Sequence, residues 1–275
     1  MWLGIVLSLL TMFFWALSDV LLKVASVHFA VHPVLFISLT SLVSSLILIL
    51  IAGPGTRGIN TLRSPHTWSY GTMNVMLDMS QMFALAYVTA TAMNFMNRLT
   101  IPLSLLLSFL FLRRKPGLYD LIGVVPVMIG LWFIASNISS DIKVQAIFWL
   151  VFSAVASTLC AMIGETHPES MAADDIPTKA RVTGYVVMAC SACFLLAMWI
   201  MAAAKAAMPE TIQGFGWLPT YADFLNPSTF LFAVALGFTV MPFALYFFFQ
   251  ATRVAKNEVF MMISSLLPFM TFAME

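Results

Sequence analysis

The sequence predicts an all-α integral membrane protein, and three observations carry that prediction. Hydrophobic residues fill 61% of the 275 positions and charged residues 9%, where soluble domains carry about a quarter charged. Mean hydropathy is +0.96. Apolar runs of about 20 residues, the length that crosses a bilayer as a helix, recur along the chain. They are too long and unbroken for membrane β-strands, which alternate over about 10 residues.

The runs define nine spans, at 2–24, 33–52, 67–88, 90–112, 117–136, 144–163, 180–206, 228–250 and 254–275. The first has an apolar stretch and small residues at Ala25 and Ala30, as a signal peptide would. It lacks a basic leader and exceeds a typical signal core, so it reads as a helix. Gly53-Pro54-Gly55 closes the second span, Lys115-Pro116-Gly117 precedes the fifth and Asn226-Pro227 opens the eighth, because glycine and proline punctuate helices. The chain would stop at the end of the ninth span, at Glu275.

Charge gives orientation. Alternate loops hold Arg57, Arg63, Arg113, Arg114, Lys115, Lys179, Arg181, Arg253 and Lys256, while the others hold Lys23, Lys143 and Lys205. The positive-inside rule therefore predicts a cytoplasmic N-terminus. The net charge of +1 offers no electrostatic footprint for nucleic acid. Cys160, Cys190 and Cys193 fall in or near spans and read as small packing residues. His28 and His32 have metal-compatible spacing, but a loop position and no third ligand, so no metal and no cofactor is expected. Asn137-Ile138-Ser139 is a glycosylation sequon. Hydrolase, metalloprotease, P-loop and dinucleotide motifs do not occur, so the chain does not read as an enzyme.

Two stretches repeat a layout. Residues 84–102 and 250–268 each leave one span, cross a short connection and place a proline in the body of the next. Val88 matches Val254, Met96 matches Met262 and Pro102 matches Pro268. The copies lie five spans apart and so run in opposite directions, as in the inverted repeats of secondary transporters. This predicts a first five-helix repeat over 1–136 and a second over 144–275 that lacks its last helix.

The ordered set of motifs resembles the drug/metabolite transporter superfamily in its EamA-like branch. Trp15-Ala16-Leu17-Ser18 matches a stretch of that family's first helix, Pro102 and Pro268 its mid-helix prolines, and Gly123 with Gly130 a glycine pattern in its fifth. Arg113-Arg114 departs from the Gly-Glu that often ends its fourth helix. The resemblance implies ten helices in two inverted halves, with a tenth absent here or supplied beyond Glu275. It also implies a bacterial inner membrane and transport, often export, of amino acids or related metabolites.

The chemistry lies in polar residues inside spans. Asp19, Asp78 and Arg98 are intramembrane charges, which are costly and normally face a bundle interior or a wet cavity. Asn74, Asp78 and Gln81 form one helical stripe, and Asn94, Asn97 and Arg98 another. Both should reach the midplane on neighbouring helices. Two readings stand side by side: a structural Asp78–Arg98 ion pair, or an Arg98 that receives a substrate carboxylate with Asp78 holding it or accepting an amine. Asp19 reads first as an interfacial partner of Lys23, with proton coupling or a gate as the alternative. Trp15 and Tyr246 are candidate aromatic walls, and Pro102, Pro242 and Pro268 candidate helix breaks or gates.

The function these readings favour is a secondary transporter of small polar or amphipathic metabolites by alternating access, in contact with membrane lipid, with protons as a candidate coupling ion. The alternatives are an intramembrane enzyme, a lipid-handling protein or a non-transporting membrane subunit.

Overall fold

The computed structural model describes residues 2–29, 31–53, 55, 58–137, 140–207 and 218–275. Ala30, Pro54, Arg57, sequon residues Ile138 and Ser139, and 208–217 of the loop before the eighth span lie outside the described residues.

Every regular element among the described residues is helical. Helix α1 (Trp2–Phe29), α2 (Pro33–Ala52), a 3-10 turn (Gly58–Arg63) and α3 (Pro65–Leu85) come first. The fourth span is α4 (Ala90–Met96), a 3-10 turn (Asn97–Leu99) and α5 (Thr100–Leu112) in one run. Then come α6 (Leu118–Asn137), α7 (Ser140–Thr166), the short α8 (Pro168–Ala172), α9 (Ile176–Ala207) and α10 (Tyr221–Phe224). The chain ends in α11 (Pro227–Thr239), α12 (Met241–Ala255), α13 (Asn257–Ile263), a 3-10 turn (Ser264–Leu266) and α14 (Leu267–Met274). Prolines in the first turns of α2, α3, α8 and α11 mark their starts, since proline lacks only an N–H that would be unpaired there. His28 falls inside the last turn of α1, not in a loop as expected.

Five helical stretches are long and apolar enough to cross a membrane: Trp2–Ala25, Pro33–Ala52, Ala90–Leu112, Val144–Thr166 and Ile176–Ala207. Helices α11 and α12, bent by 48° at Val240, form a sixth if taken as one span. Leu121–Phe133 and Val259–Met274 are shorter apolar helices. Leu110, Phe111, Ile129, Trp132, Phe133, Leu231, Phe269 and Phe272 stand exposed on the outside, which a lipid solvent permits and water penalises. Helix α3 carries Asn74, Asp78 and Gln81 and survives inside the bundle because α1, α2, α7 and α9 cover it.

The packing pairs helices systematically. Helix α1 lies on α12 and α3 on α7, while α2 lies on α9, α3 also packs on α9, and α2 on α11. The two interrupted spans face each other, α4 on α14 and α5 on α13. Several crossings leave no room for a Cβ, and at two of them it would press hardest on a backbone carbonyl: one on Gly71 would stand 2.4 Å from the Val186 carbonyl oxygen, and one on Gly237 2.7 Å from that of Thr40. These glycines are 166 residues apart, the same offset as Pro102 and Pro268. Gly123 and Gly130, by contrast, point into open space.

One end of the bundle is tied by arginines. Arg181 donates to the Gly53 and Ala52 carbonyls at 2.6 and 2.7 Å, and Arg253 to the Ser170 carbonyl at 2.6 Å. Cations on the final carbonyls of α2 and α8 satisfy groups that a helix end leaves unpaired. Arg114 pairs with Glu165, and Thr61 hydrogen-bonds Glu169. At the other end Lys23 donates to the Leu85 and Val88 carbonyls at 2.7 and 3.3 Å, tying α1 to the α3–α4 turn.

Candidate functional site

Proline at 102 removes the N–H that would bond the carbonyl of residue 98, and proline at 268 does the same to residue 264. In both spans the backbone tightens into a 3-10 turn at that place, Asn97–Leu99 and Ser264–Leu266. The two loosened turns meet. Arg98 Nη1 donates to Ser264 Oγ at 2.9 Å, and Arg98 Nε turns back to the Asn94 carbonyl at 2.9 Å.

Asn94 joins three helices. Its Nδ2 donates to Asp19 Oδ2 of α1 at 2.8 Å and to Thr271 Oγ1 of α14 at 2.9 Å. Asp19 also lies within electrostatic reach of Arg98. On the far side of the turn, Ser153 of α7 donates to Asn97 Oδ1 at 3.2 Å. Asp19, Asp78 and Arg98 are 4%, 6% and 8% exposed. A cleft with about 10 Å³ of free space, enough for roughly one water, is lined by Trp15, Gln81, Asn97, Arg98, Ser157 and Ser264, among others. Trp15 stacks obliquely on Phe248 at 4.7 Å and meets Phe260 edge-on at 6.1 Å, closing the cleft with aromatic surface.

Arg98, Asn97, Gln81 and Trp15 thus line one cleft, and Asn94 holds the Arg98 side chain beside it. The expected Asp78–Arg98 ion pair does not form, since no carboxylate oxygen of Asp78 lies within 4 Å of the guanidinium. Asp78 instead lies within reach of Asp19, Tyr70 and Cys160, and its Oδ2 has no protein partner. The Asp19–Lys23 pair is likewise absent: Lys23 serves backbone carbonyls, and Asp19 turns inward to Asn94. Helical faces explain both corrections. Arg98 sits on a tightened turn, which rotates it away from the register of a regular helix.

Asn74 lies nearer the arginine-tied end, its Oδ1 4.0 Å from Cys160 Sγ and its Nδ2 unpartnered. Tyr246 packs on the core cluster around Trp15 and Phe248 but does not line the cleft. Pro242 marks the α11–α12 bend, two residues after its break at Val240. Cys160 and Cys190 are buried and Cys193 exposed. The sequence reading passed over Ser264, Thr271, Ser153 and Ser157. Ser264 was findable, because it stands 166 residues after Arg98 at the repeat's own offset. The serines of α7 carried no such signal.

Residues 2–136 match the model described as the EamA-like transporter family. No curated protein and no solved structure matches the chain.

Proposed function

Residues 2–136 of this multi-pass membrane protein belong to the EamA-like transporter family, and from that premise we propose that the chain moves small polar or amphipathic metabolites, amino-acid-like or related, by alternating access. The observation that carries the proposal is Arg98: a buried guanidinium at the meeting of two proline-loosened turns, whose hydrogen bonds go to the neutral Asn94 carbonyl and Ser264 hydroxyl. A guanidinium not locked in a bidentate carboxylate pair retains its fork for a substrate carboxylate or other anionic group. Asp19 balances it from α1, Asn94 and Asn97 hold the turn, and Trp15 supplies the apolar wall. The cleft is closed here to the size of about one water, which fits an occluded arrangement in an alternating cycle.

The two halves, 1–136 and 144–275, act as inverted repeats in this proposal. The symmetric pairing supports it: α1 on α12 mirrors α7 on α3, and α2 on α11 mirrors α9 on α3. Gly71 and Gly237 sit at the mirrored crossings. The arginine-tied end faces the cytoplasm, in a bacterial inner membrane, and protons are the coupling ion.

Transport decides the matter. Purified protein in liposomes should take up or release members of an amino-acid and amine panel, driven by an imposed proton gradient. Asp19→Asn with Arg98→Gln removes both members of the compensated pair, so it should assemble yet lose at least tenfold in transport. Normal transport by that variant would overturn the Arg98 site. Failure of wild type to move any member of the panel would favour the non-transporting subunit.

A further inference from the structure

Two helices organise the bundle. Helices α12, α13 and α14 all pack on α1, while α3, α5 and the 3-10 turn Asn97–Leu99 pack on α7. The α2–α9 pair joins the two groups, and α3 and α12 each touch both of its helices. The Arg98 cleft lies on the seam between the groups, with Gln81, Arg98 and Ser157 on one wall and Trp15 and Ser264 on the other. Among the described residues, one cation crosses that seam at each end. Lys23 of α1 donates to the Leu85 and Val88 carbonyls of the α3–α4 turn at 2.7 and 3.3 Å. Arg253 of α12 donates to the Ser170 and Ala173 carbonyls at the end of α8, which follows α7, at 2.6 and 3.4 Å. Neither cation forms a salt bridge among the described residues. Two other end ties do not cross the seam: Arg181 stays within the α2–α9 pair, and Arg114 with Glu165 within the α5–α7 contact.

Resting on the transporter reading above, we propose that Lys23 and Arg253 are the two gate latches of this seam. Release of Lys23 opens the Arg98 cleft at the α3–α4 turn, release of Arg253 opens it at the arginine-tied end, and the structure holds both closed. The chemistry suits a latch. A cation clasped on backbone carbonyls at a helix end is held by hydrogen bonds and by the end of the helix dipole. When it lets go at the mouth of the bundle, ammonium or guanidinium and carbonyls all pass to water, and no buried counter-charge is stranded. Each latch has a weaker companion across the seam. Thr91 Oγ1 of α4 donates to Glu275 Oε2 beyond α14 at 2.5 Å on the Lys23 side. On the Arg253 side the Phe249 ring meets Tyr70 and His167 edge-on at 4.8 and 5.5 Å. In the proposed inverted repeat α1 corresponds to α7 and α3 to α12, so the α1–α3 and α7–α12 contacts are counterparts. Both carry the same device, one cation on two carbonyls, yet the cation comes from α1 at one end and from α12 at the other. The two latches therefore do not align in sequence and meet only as places in the fold.

Thiol labelling from either membrane face tests this without requiring transport. The reporter is Ser157→Cys on the cleft wall, in the full chain with Cys160→Ala, Cys190→Ala and Cys193→Ala. An impermeant methanethiosulfonate is applied to intact cells and, separately, to inverted vesicles. The reporter should label slowly from both faces when the latches are intact. Lys23→Met keeps the apolar stem and removes the charge, and should raise the rate at least tenfold from one face only. Arg253→Met should do the same from the opposite face only. Lys23→Arg should stay slow from both faces, and so should Arg181→Met, whose cation does not cross the seam. Acceleration from the same face by both methionine variants, from neither face, or equally by Arg181→Met would overturn the latches. Collapse of either methionine variant in a melt would overturn them too, because it would show a structural clasp. Unselective labelling by variants that still transport the panel overturns the latches and leaves the transporter reading intact. Face-selective labelling of a chain that transports no member of the panel does the reverse.

Discussion

His167 sits where α7 hands over to α8, with its side chain buried. Nδ1 accepts the Ser170 N–H at 3.3 Å and caps α8, while Nε2 faces the Thr67 hydroxyl at 3.2 Å. A protonated ring would have to donate from Nδ1 and lose the cap. Burial first, and the neighbouring His66 second, push His167 down from 6.5 to about 4. Below its ordinary value the unfolded chain binds a proton that the folded site refuses, so stability rises with pH between the two values. The contribution is complete above about pH 6.5 and is lost as pH falls toward about 4. Thermal midpoints measured across that window should fall in wild type and stay flatter in His167→Asn, which keeps a capping acceptor that does not titrate. Parallel curves would show that the ring is not the titrating group. The same end of the bundle holds Arg113 in the left-handed region, φ 55°, where it terminates α5. That is the conformation glycine prefers at a helix end.

At the scale of helices, packing is set by how closely backbones approach. Helix α3 meets α9 at Gly71, and α11 meets α2 at Gly237, each against a backbone carbonyl that cannot swing aside. Gly71→Ala and Gly237→Ala should each destabilise the protein by about 1–3 kcal/mol through overpacking. Gly123→Ala and Gly130→Ala should cost nothing measurable, because a Cβ at either meets nothing within 4 Å. Melting in detergent checks all four variants. Equal effects across the set would remove the close-crossing argument, and with it one support of the repeat. The fifth-helix glycine pattern is thus present in sequence but silent inside this chain's own packing.

The molecule as a whole is a bundle with Arg114, Arg181 and Arg253 at one end, tied to helix carbonyls and to Glu165. If that end is cytoplasmic, a single cysteine at residue 60 should resist an impermeant thiol reagent in intact cells, and one at residue 220 should react. Labelling at residue 60 from outside would invert the orientation. Both residues lie on described, exposed surface, so access is not the variable.

Composition, hydropathy and proline placement determined the all-helical membrane class; of the nine expected spans, five coincide with helices long and apolar enough to cross, or six with the bent α11–α12 pair. These depend on local chain chemistry: apolar length for crossing, a missing N–H for the breaks at Pro102, Pro242 and Pro268. Periodicity put Asn94, Asn97 and Arg98 on one helical stripe and Gln81, with Asp78, on another. What only the tertiary structure decided was which charges are partners. Consecutive helices suggested Asp78 for Arg98, but the tightened turn before Pro102 aims Arg98 at α13–α14 and at Asp19, more than 70 residues away in sequence. Pair choice depends on helix rotation and on what stands opposite, and a helix carries its own periodicity without any record of the neighbour it will face.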